Sequence, residues 1–494
     1  MTANTILQDL RYFYPEITLT VTVLAVILAE LFTKKNKIII PLISLLGLVI
    51  SILFSLQLFN GPERFLFSNM IVVDKFGVFF RIFFAFATSL IVILSYNTFK
   101  RSGEYYALII GAVLGMNLMA SSAHIIMIVL SLEIVGITCY VLAGYRRFEL
   151  RSGEASLKYM LYGAVSTGVM LYGFSLLYGM TGETNIYAMR LVIPATSTID
   201  SLMLFVSVLF ILAGIGYKIA MVPFHFWCPD VYEGAPTPVT TFFSVVPKVA
   251  GISLLARFVF AGMSEQVSSN IEQWFALGST DLPFLLAVLS AVTMTLGNLA
   301  ALAQKNVKRL LAYSSIAHAG YILMGFTMFN GEGINAILIY TIVYLFMNFG
   351  VFTVVDAIAS RIKSEQIEDY VGLGARAPYL AFAMTVFLVS LTGLPPTAGF
   401  IGKLLLFAAV IHSKLYWLAV IGVLNSVVSL YYYFRIAKAM YLTSSPAEAA
   451  PLSFSRIHLT LVTVLLIPTI YYGIFWNQLN EWTDFGINFI LALK

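Results

Sequence analysis

The chain is poor in charged residues and in cysteine. Only 11% of its 494 residues are charged, against about 25% in soluble domains, whereas 60% are hydrophobic. A soluble protein of this length cannot cover its surface with 29 Lys and Arg and 24 Asp and Glu residues, so soluble enzymes, nucleic-acid-binding proteins and disordered proteins are excluded. The two cysteines, Cys139 and Cys228, cannot supply a disulfide framework, an iron–sulfur ligand set or a CxxC redox pair. The composition indicates an integral membrane protein.

Long apolar runs predict the membrane topology. A helix needs about 20 mostly apolar residues to cross a hydrocarbon core of about 30 Å. Fourteen such runs predict an all-α protein with fourteen transmembrane helices, at 15–33, 38–59, 75–97, 105–121, 124–144, 156–179, 201–225, 237–261, 283–303, 308–327, 333–359, 379–412, 415–441 and 458–478. The N-terminus has no basic segment and no cleavage site, so the first run is expected to remain as an anchor.

Lys and Arg are distributed unevenly between the two faces of the membrane. The face that holds loop 33–38, called side one, receives 18 of the 29 cations, and the opposite face, side two, receives seven. Because cytoplasmic loops are enriched in Lys and Arg, side one is predicted to be cytoplasmic and both termini periplasmic. This pattern suits a bacterial inner membrane, and the cations flank membrane spans rather than marking a nucleic-acid surface.

A few ionisable residues lie inside the predicted spans. A charge at the centre of a spanning helix costs at least about 2.5–3.5 kcal/mol, so such residues are candidates for function. Glu133, Lys218, Lys248, Lys403 and His318 lie in five different runs. One acid, three amines and one imidazole suit a proton relay. A Glu133–Lys218 pair that only joins two helices, and a hydrogen-bonded core histidine at 318, are the structural alternatives.

Two other ionisable residues are given structural roles. Arg81 lies six residues after Lys75, near the end of a span, so its side chain is expected to extend to the interface. His225 follows Pro223 and Phe224 near the side-one end of the seventh run, and it is expected to position the loop.

Prolines lie close to two of the lysines. Pro247 directly precedes Lys248, and Pro395 and Pro396 precede Lys403 in a run too long for one straight span. Broken helices are tolerated where the freed backbone lines a cavity or packs on protein, and transporters place such breaks at ion sites. Helix breaks are therefore predicted at both positions.

A short motif occurs twice. The pattern Ala-Gly-x-x-x-Lys at 213–218 recurs at 398–403, an offset of 185, and the same offset places Glu133 on His318 and Lys248 on Tyr433. Two oppositely oriented five-helix repeats follow from this match. The predicted division is a three-helix segment at 1–104, a first repeat at 105–262, a second repeat at 283–442 and a C-terminal helix at 443–494.

Several segments together resemble the antiporter-like membrane subunits of respiratory complex I, the NADH–quinone oxidoreductase, and within that family the subunit N branch. The segments are Ser131–Glu133, Gly216–Lys218, Val222–Trp227, Glu233–Val239, Pro247–Lys248, Lys308–Ser315 and Gly393–Lys403. A lysine at 403 differs from subunit M, which is similar but carries a glutamate there.

The resemblance implies roles for these residues. It implies two inverted five-helix repeats with broken seventh and twelfth helices, around a hydrated polar axis. Glu133 would be paired with Lys218, Lys248 would be the central lysine, and Lys403 would exchange protons with the terminal half-channel. Lys158 also lies where the family has a lysine, although a cation that extends to the side-one interface is the alternative.

The resemblance also implies a proton-translocating subunit coupled to quinone reduction elsewhere in a complex. No metal site and no NADH, flavin, iron–sulfur or quinone site is expected in this chain. The expected partners are the lipid bilayer, protons, and other membrane and peripheral subunits, with no nucleic acid. The alternatives are an Mrp-type cation/proton antiporter subunit, the related membrane subunit of the photosynthetic NDH complex, and a membrane spacer. Sodium needs several hard oxygen ligands, which disfavours the antiporter, and three buried lysines disfavour the spacer.

Overall fold

The computed structural model describes residues 3–32, 38–99, 102–195, 201–266, 274–277, 281–443 and 451–484. Of the cations used to predict orientation, Lys34, Lys35, Lys37, Lys100, Arg101 and Lys494 lie outside the described residues. The helices within these ranges are α1 (Ala3–Arg11), α2 (Tyr14–Phe32), α3 (Ile39–Phe59), α4 (Lys75–Phe99), α5 (Gly103–Ser121), α6 (Ile125–Ala143), α7 (Leu150–Thr181), α8 (Ile186–Ala195), α9 (Ser201–Ile219), α10 (Trp227–Gly234), α11 (Thr237–Ala256), α12 (Leu282–Leu302), α13 (Val307–Met324), α14 (Gly331–Ile362), α15 (Leu373–Arg376), α16 (Pro378–Thr392), α17 (Ala398–His412), α18 (Tyr416–Tyr441), α19 (Arg456–Ile474) and α20 (Asn477–Thr483).

Short elements fill the loops between these helices. Strand β1 (Arg64–Leu66) pairs antiparallel with β2 (Ile71–Val73), and β3 (Ser264–Gln266) pairs antiparallel with β4 (Trp274–Ala276). Helix α11 continues as a π-helix over Arg257–Gly262, and α13 ends in a 3₁₀ turn over Gly325–Thr327.

The described helices confirm the fourteen predicted spans. In the part of the chain that the structure describes, thirteen helices are long and apolar enough to cross a membrane, and the shorter pair α16 and α17 together form the twelfth span. Most helix ends lie within two or three residues of the predicted bounds; α7 begins earlier, at Leu150, and α19 ends at Ile474. The length of the apolar runs was therefore sufficient to predict the number and order of the spans.

Polar side chains cap the N-termini of α12, α13 and α14. Asp281 accepts a hydrogen bond from the backbone N–H of Phe284 at 3.1 Å, and Asn306 accepts one from Arg309 at 3.1 Å. Asn330 does the same at the start of α14. Each cap satisfies a backbone donor that the helix leaves without a partner, so these loops end sharply at the membrane face.

The seventh and twelfth spans are broken, as predicted. α9 ends at Ile219 and the chain resumes as α10 at Trp227; α16 ends at Thr392 and α17 begins at Ala398. Gly393 has φ +88°, a left-handed conformation that suits glycine. Pro395 and Pro396 lie inside the second break, which confirms their predicted role.

The helix break predicted at Pro247 is wrong. α11 runs continuously from Thr237 to Ala256 with Pro247 inside it. Proline removes the N–H that would bond to the carbonyl four residues earlier. That carbonyl, of Phe243, instead accepts a hydrogen bond from the Tyr232 hydroxyl at 3.1 Å, so a neighbouring helix satisfies the backbone and the helix stays intact.

Three spans form the centre of the bundle. Helices α11, α13 and α14 are almost completely buried, whereas α2 and α3 expose most of their surface to the surroundings. Lys248 lies on α11 and His318 on α13, so the polar candidates sit in the best-packed part of the protein. The division into two inverted repeats stays a prediction.

The predicted interfacial position of Arg81 is wrong. Arg81 is 1% exposed, and its Nε lies 2.7 Å from Oε1 of Glu16, which is completely buried on α2. A charge of the opposite sign on the neighbouring span makes an inward orientation possible, and no local pattern identifies Glu16 as the partner of Arg81. The pair joins α2 to α4.

Candidate functional site

Lys218 is buried at the end of α9, directly before the break in the seventh span. Its side chain packs on α11, where a Cβ added to Gly251 would lie 3.3 Å from the Cβ of Lys218. Among the described residues, no group accepts a hydrogen bond from its amine. A buried ammonium is costly without polar partners, so the charged form of Lys218 requires water or a nearby negative charge.

Glu133 lies half-buried on α6 and within electrostatic range of Lys218. The two side chains form no direct ion pair among the described residues, and their pairing in proton transfer stays a prediction. Glu133 is partly exposed on α6, whereas Lys218 faces α11. Their charges act on each other through space.

Lys248 is buried in the middle of α11, and its partners are weak acids and hydroxyls. Its Nζ donates to Ser315 Oγ at 2.6 Å and to Cys228 Sγ at 3.6 Å, and lies 5.4 Å from the centre of the Tyr232 ring. Ser315 in turn donates to the Ala312 carbonyl at 2.8 Å. The amine therefore has hydrogen-bond partners but no carboxylate counter-ion among the described residues.

His318 is buried between two tyrosine hydroxyls. Its Nδ1 lies 2.6 Å from Tyr340 Oη, and its Nε2 lies 3.2 Å from Tyr433 Oη. Tyr433 also hydrogen-bonds to the Ser314 hydroxyl. His318 also lies within electrostatic range of both Lys248 and Lys403, so a charge on either lysine acts on the imidazole.

Lys403 is buried at the break in the twelfth span. Its Nζ donates to the Thr392 carbonyl, which the end of α16 leaves free, at 2.8 Å, and to Ser426 Oγ at 3.1 Å. It also lies 4.3 Å from the centre of the Tyr321 ring, whose hydroxyl hydrogen-bonds to Ser426 at 3.1 Å. The helix break thus supplies one ligand of the ammonium directly.

Together these contacts form a polar path through the second half of the bundle. Ser315 hydrogen-bonds to Lys248, and the next residue, Ser314, hydrogen-bonds to Tyr433, which also meets His318; among the described residues no hydrogen bond joins the two serine hydroxyls. The His318 ring lies 5.9 Å from the Tyr321 ring, which meets Lys403 through Ser426. Hydroxyls both donate and accept hydrogen bonds, so this arrangement has the chemistry of a proton relay.

Lys158 lies at the side-one surface rather than in the polar path. It is 37% exposed, and its Nζ lies 2.6 Å from both Glu154 Oε1 and Asp230 Oδ2. Arg309 also binds Asp230, at 2.6 Å. Burial raises the pKa of Asp230, but hydrogen bonds from Lys158 and Arg309 outweigh it and lower the pKa. The geometry matches the interfacial alternative for Lys158.

His225 is closer to the path than a loop-positioning role suggests. It is buried in the break of the seventh span and lies within electrostatic range of Lys248. Its Nδ1 has no hydrogen-bond partner among the described residues. Together with Asp230 and Arg309 it lines a cavity of about 420 Å³ on side one, so a buried group near Lys248 also faces that cavity.

The hydroxyl groups of the polar path and several buried ion pairs were not predicted from the sequence. Asp356 on α14 and His458 on α19 are both buried, with Nε2 of His458 2.9 Å from Oδ2 of Asp356. The tyrosines gave little signal, because the chain contains 27 of them. One signal existed: Tyr433 occupies the position that the 185-residue offset assigns to Lys248.

The chain is similar in sequence to proteins of one known family. Residues 122–429 match the protein family described as NADH:quinone oxidoreductase/Mrp antiporter, TM. The chain is 46% identical to NADH-quinone oxidoreductase subunit N 2 of Chloroherpeton thalassium, over 97% of this chain and 95% of that protein.

Solved structures show the same fold. A chain of respiratory complex I from Thermus thermophilus is 31% identical, covers 94% of this chain and 98% of its own length, and superposes with a TM-score of 0.78. A chain of the Mrp complex from Dietzia sp. DQ12-45-1b superposes with a TM-score of 0.82 over 98% of each chain, at 18% identity. The second likeness concerns the fold alone.

Proposed function

This chain belongs to the family of antiporter-like membrane subunits of NADH-quinone oxidoreductase, and we propose on that premise that it translocates protons within such a complex. The observation that carries the proposal is the row of hydroxyls between two buried basic groups: Ser315 bonds to Lys248, and Ser314 and Tyr433 lead to His318. Packing alone does not require hydroxyls between buried basic groups, because apolar residues would fill the same space at a lower free-energy cost.

The buried amines make the path sensitive to charge. An uncompensated charge at membrane depth costs at least about 2.5–3.5 kcal/mol, so each lysine responds strongly to a charge that appears or disappears nearby. Coulomb interactions are strong in such surroundings, because little solvent screens them. A change at Glu133 therefore acts on Lys218, and a change at Lys248 acts on His318.

A route for the proton follows from the positions of these groups. We place proton uptake at the side-one cavity beside His225, transfer along Lys248 and His318, and release through Lys403 toward side two. Each elementary charge moved against 100 mV requires about 2.3 kcal/mol. The relay cannot supply this energy, so it requires a redox reaction elsewhere in the complex.

The redox groups belong to partner subunits in this proposal. We place flavin, iron–sulfur clusters and quinone outside this chain, whose two cysteines cannot ligate a cluster. Other membrane and peripheral subunits of the complex, together with the bilayer, are its partners. We also propose a bacterial inner membrane with side one toward the cytoplasm and both termini on the periplasmic face.

The test compares variants in the assembled complex in sealed liposomes. Lys248→Met keeps an unbranched, apolar stem without the amine, and we expect it to abolish most proton uptake coupled to quinone reduction. Tyr433→Phe removes only the hydroxyl between Ser314 and His318, and a partial loss is expected. Lys305→Met, an exposed side-one lysine, is the matched control. A normal ratio of protons to electrons in assembled Lys248→Met would refute the proposal.

A cation/proton antiporter is the second candidate, because the Mrp chain shares the fold. The lysines of the polar path favour protons, since sodium is bound by oxygen ligands. Co-purification separates the two: flavin and iron–sulfur subunits support the redox complex, respiratory or photosynthetic. Sodium-dependent transport without flavoprotein partners would favour the antiporter.

A further inference from the structure

A large apolar groove lies away from the polar path. It has a volume of about 900 Å³ and lies between α3 and α4 on one side and α14, α19 and α20 on the other. Its walls are mostly aromatic and aliphatic, and Leu56, Phe86 and Trp482 are 51%, 39% and 60% exposed. The groove is therefore open to the surroundings of the bundle.

The groove has the depth of one lipid leaflet. Helices α3, α4, α19 and α20 contribute residues at or near their side-two ends, where α4 begins at Lys75, and α14 contributes residues within 342–346 from its middle. Phe86, eleven residues further along α4, lies about 16 Å deeper at a rise of 1.5 Å per residue. Half of a hydrocarbon core of about 30 Å is about 15 Å, so the groove extends from the interface to near the middle of the membrane.

Three charged residues surround the shallow end of the groove. Lys75 begins α4, whereas Glu481 and Asp484 lie in and just after α20, and all three are exposed. Trp482 and Tyr472 lie at the same end, and Trp and Tyr are enriched where the membrane meets water. The rim thus presents one cation and two anions at the level of lipid headgroups.

This arrangement selects among possible occupants. The helical walls satisfy their backbone groups internally, so they offer little to a protein segment but suit an acyl chain. A phosphate would bind Lys75, and a primary ammonium would bind the two carboxylates through N–H donors. An anionic headgroup without an amine would be repelled by Glu481 and Asp484, and a quaternary ammonium has no N–H to donate.

We propose that this groove binds phosphatidylethanolamine from the side-two leaflet. One acyl chain lies along Phe83, Phe86 and Phe346. The phosphate is bound at Lys75 and the ammonium at Glu481 and Asp484. The site is separate from the proton path: within the described residues, the groove residues form no hydrogen bond or ion pair with Lys218, Lys248, His318 or Lys403.

Native mass spectrometry of the purified assembled complex tests the proposal. After exchange into mixed phosphatidylethanolamine and phosphatidylglycerol, we expect the parent to retain one more phosphatidylethanolamine per chain than Lys75→Glu. The control Lys414→Glu changes an exposed cation on the same face, in the loop between α17 and α18. It should retain as many phosphatidylethanolamine molecules per chain as the parent. Equal retention by Lys75→Glu and the parent would overturn the proposal.

A second measurement reports on the groove itself. Brominated acyl chains quench tryptophan fluorescence, and the difference between the parent and Trp482→Phe isolates Trp482. We expect brominated phosphatidylethanolamine to quench this difference signal at a lower mole fraction than brominated phosphatidylglycerol. The double variant Glu481→Lys/Asp484→Lys should reverse that order. Equal quenching by both lipids, or protection of Trp482 by a protein partner, would refute a specific lipid site.

Discussion

The ion pair between Asp74 and Arg257 is the best test of how this bundle is held together at side two. Arg257 is completely buried where α11 becomes π-helical. Its Nη1 and Nη2 atoms lie 2.8 and 2.9 Å from Oδ2 and Oδ1 of Asp74, directly before α4. It also donates to the Ala120 carbonyl at 2.6 Å and to the Tyr187 hydroxyl at 2.7 Å. One side chain thus joins four helices: α4, α5, α8 and α11.

The structure determines the expected size of the effect. Asp74→Ala removes both bonds to Arg257 and leaves a buried guanidinium without its counter-ion, which costs about 3–5 kcal/mol. It also removes the hydrogen bond from the Gly77 N–H to Asp74 Oδ1 at 2.7 Å, a cap worth about 1 kcal/mol. Asp74→Ala combined with Arg257→Met replaces the charge with an apolar side chain. The double variant should therefore lose about 1 kcal/mol for the cap and about 1 kcal/mol for each of the bonds to Ala120 and Tyr187 that Arg257 no longer makes, but it leaves no buried charge without a counter-ion.

The assay is equilibrium unfolding of the full chain in mixed micelles of a mild detergent and dodecyl sulfate, followed by circular dichroism. The expected order of unfolding free energy is parent, then double variant, then Asp74→Ala. A single variant within about 1 kcal/mol of the parent would mean that water solvates Arg257 in place of Asp74. A double variant as unstable as the single would mean that packing around Arg257, and not its charge, carries the effect.

Three further predictions concern other parts of the bundle. Burial, with repulsion from Asp74, raises the pKa of Glu63 to about 7, so the folded state holds a proton that the unfolded chain releases near pH 4.3. Stability is therefore lost as pH rises between these values, and Glu63→Gln should melt higher than the parent at pH 8 but at the same temperature at pH 4. Gly399→Ala would press a Cβ onto the Ser390 carbonyl, whereas Gly216→Ala would first meet the flexible end of the Met221 side chain, at 2.6 Å; thermal unfolding should show a loss of about 1–3 kcal/mol for the first and less for the second. Glu16→Ala should destabilise the chain by about 3–5 kcal/mol because Arg81 stays buried, and Glu16→Leu/Arg81→Met should restore most of this in the same unfolding assay.

The features that the sequence predicted correctly depend on one-dimensional signals. Apolar runs of sufficient length predicted the fourteen spans, and an overlong run with Pro395 and Pro396 predicted the break beside Lys403. Lys218, Lys248 and Lys403 stood out because ionisable residues are rare within spans. Each of these signals is local, so no knowledge of neighbouring helices was needed.

The features that the sequence missed depend on contacts between distant residues. Pro247 leaves α11 intact because Tyr232 satisfies the freed carbonyl of Phe243. Arg81 turns inward because Glu16, on another helix, meets it. Both outcomes depend on which helices pack together. The sequence around a proline or an arginine does not show which residues of other helices will contact it. Tertiary packing decides these cases.

The two halves of the polar axis differ because different groups donate hydrogen bonds to the backbone carbonyls at the two helix breaks. In the seventh span, the Tyr217 carbonyl accepts hydrogen bonds from the Ala220 N–H at 3.1 Å and from the Trp227 indole at 2.9 Å, so it is satisfied without Lys218. In the twelfth span, Lys403 itself donates to the freed Thr392 carbonyl. The same Ala-Gly-x-x-x-Lys motif therefore leaves Lys218 without a protein acceptor among the described residues and ties Lys403 to two. A lysine without acceptors can follow a change of charge at Glu133, whereas a tied lysine must give up hydrogen bonds before it passes a proton on. In the proposed relay, Lys218 therefore senses charge and Lys403 controls release.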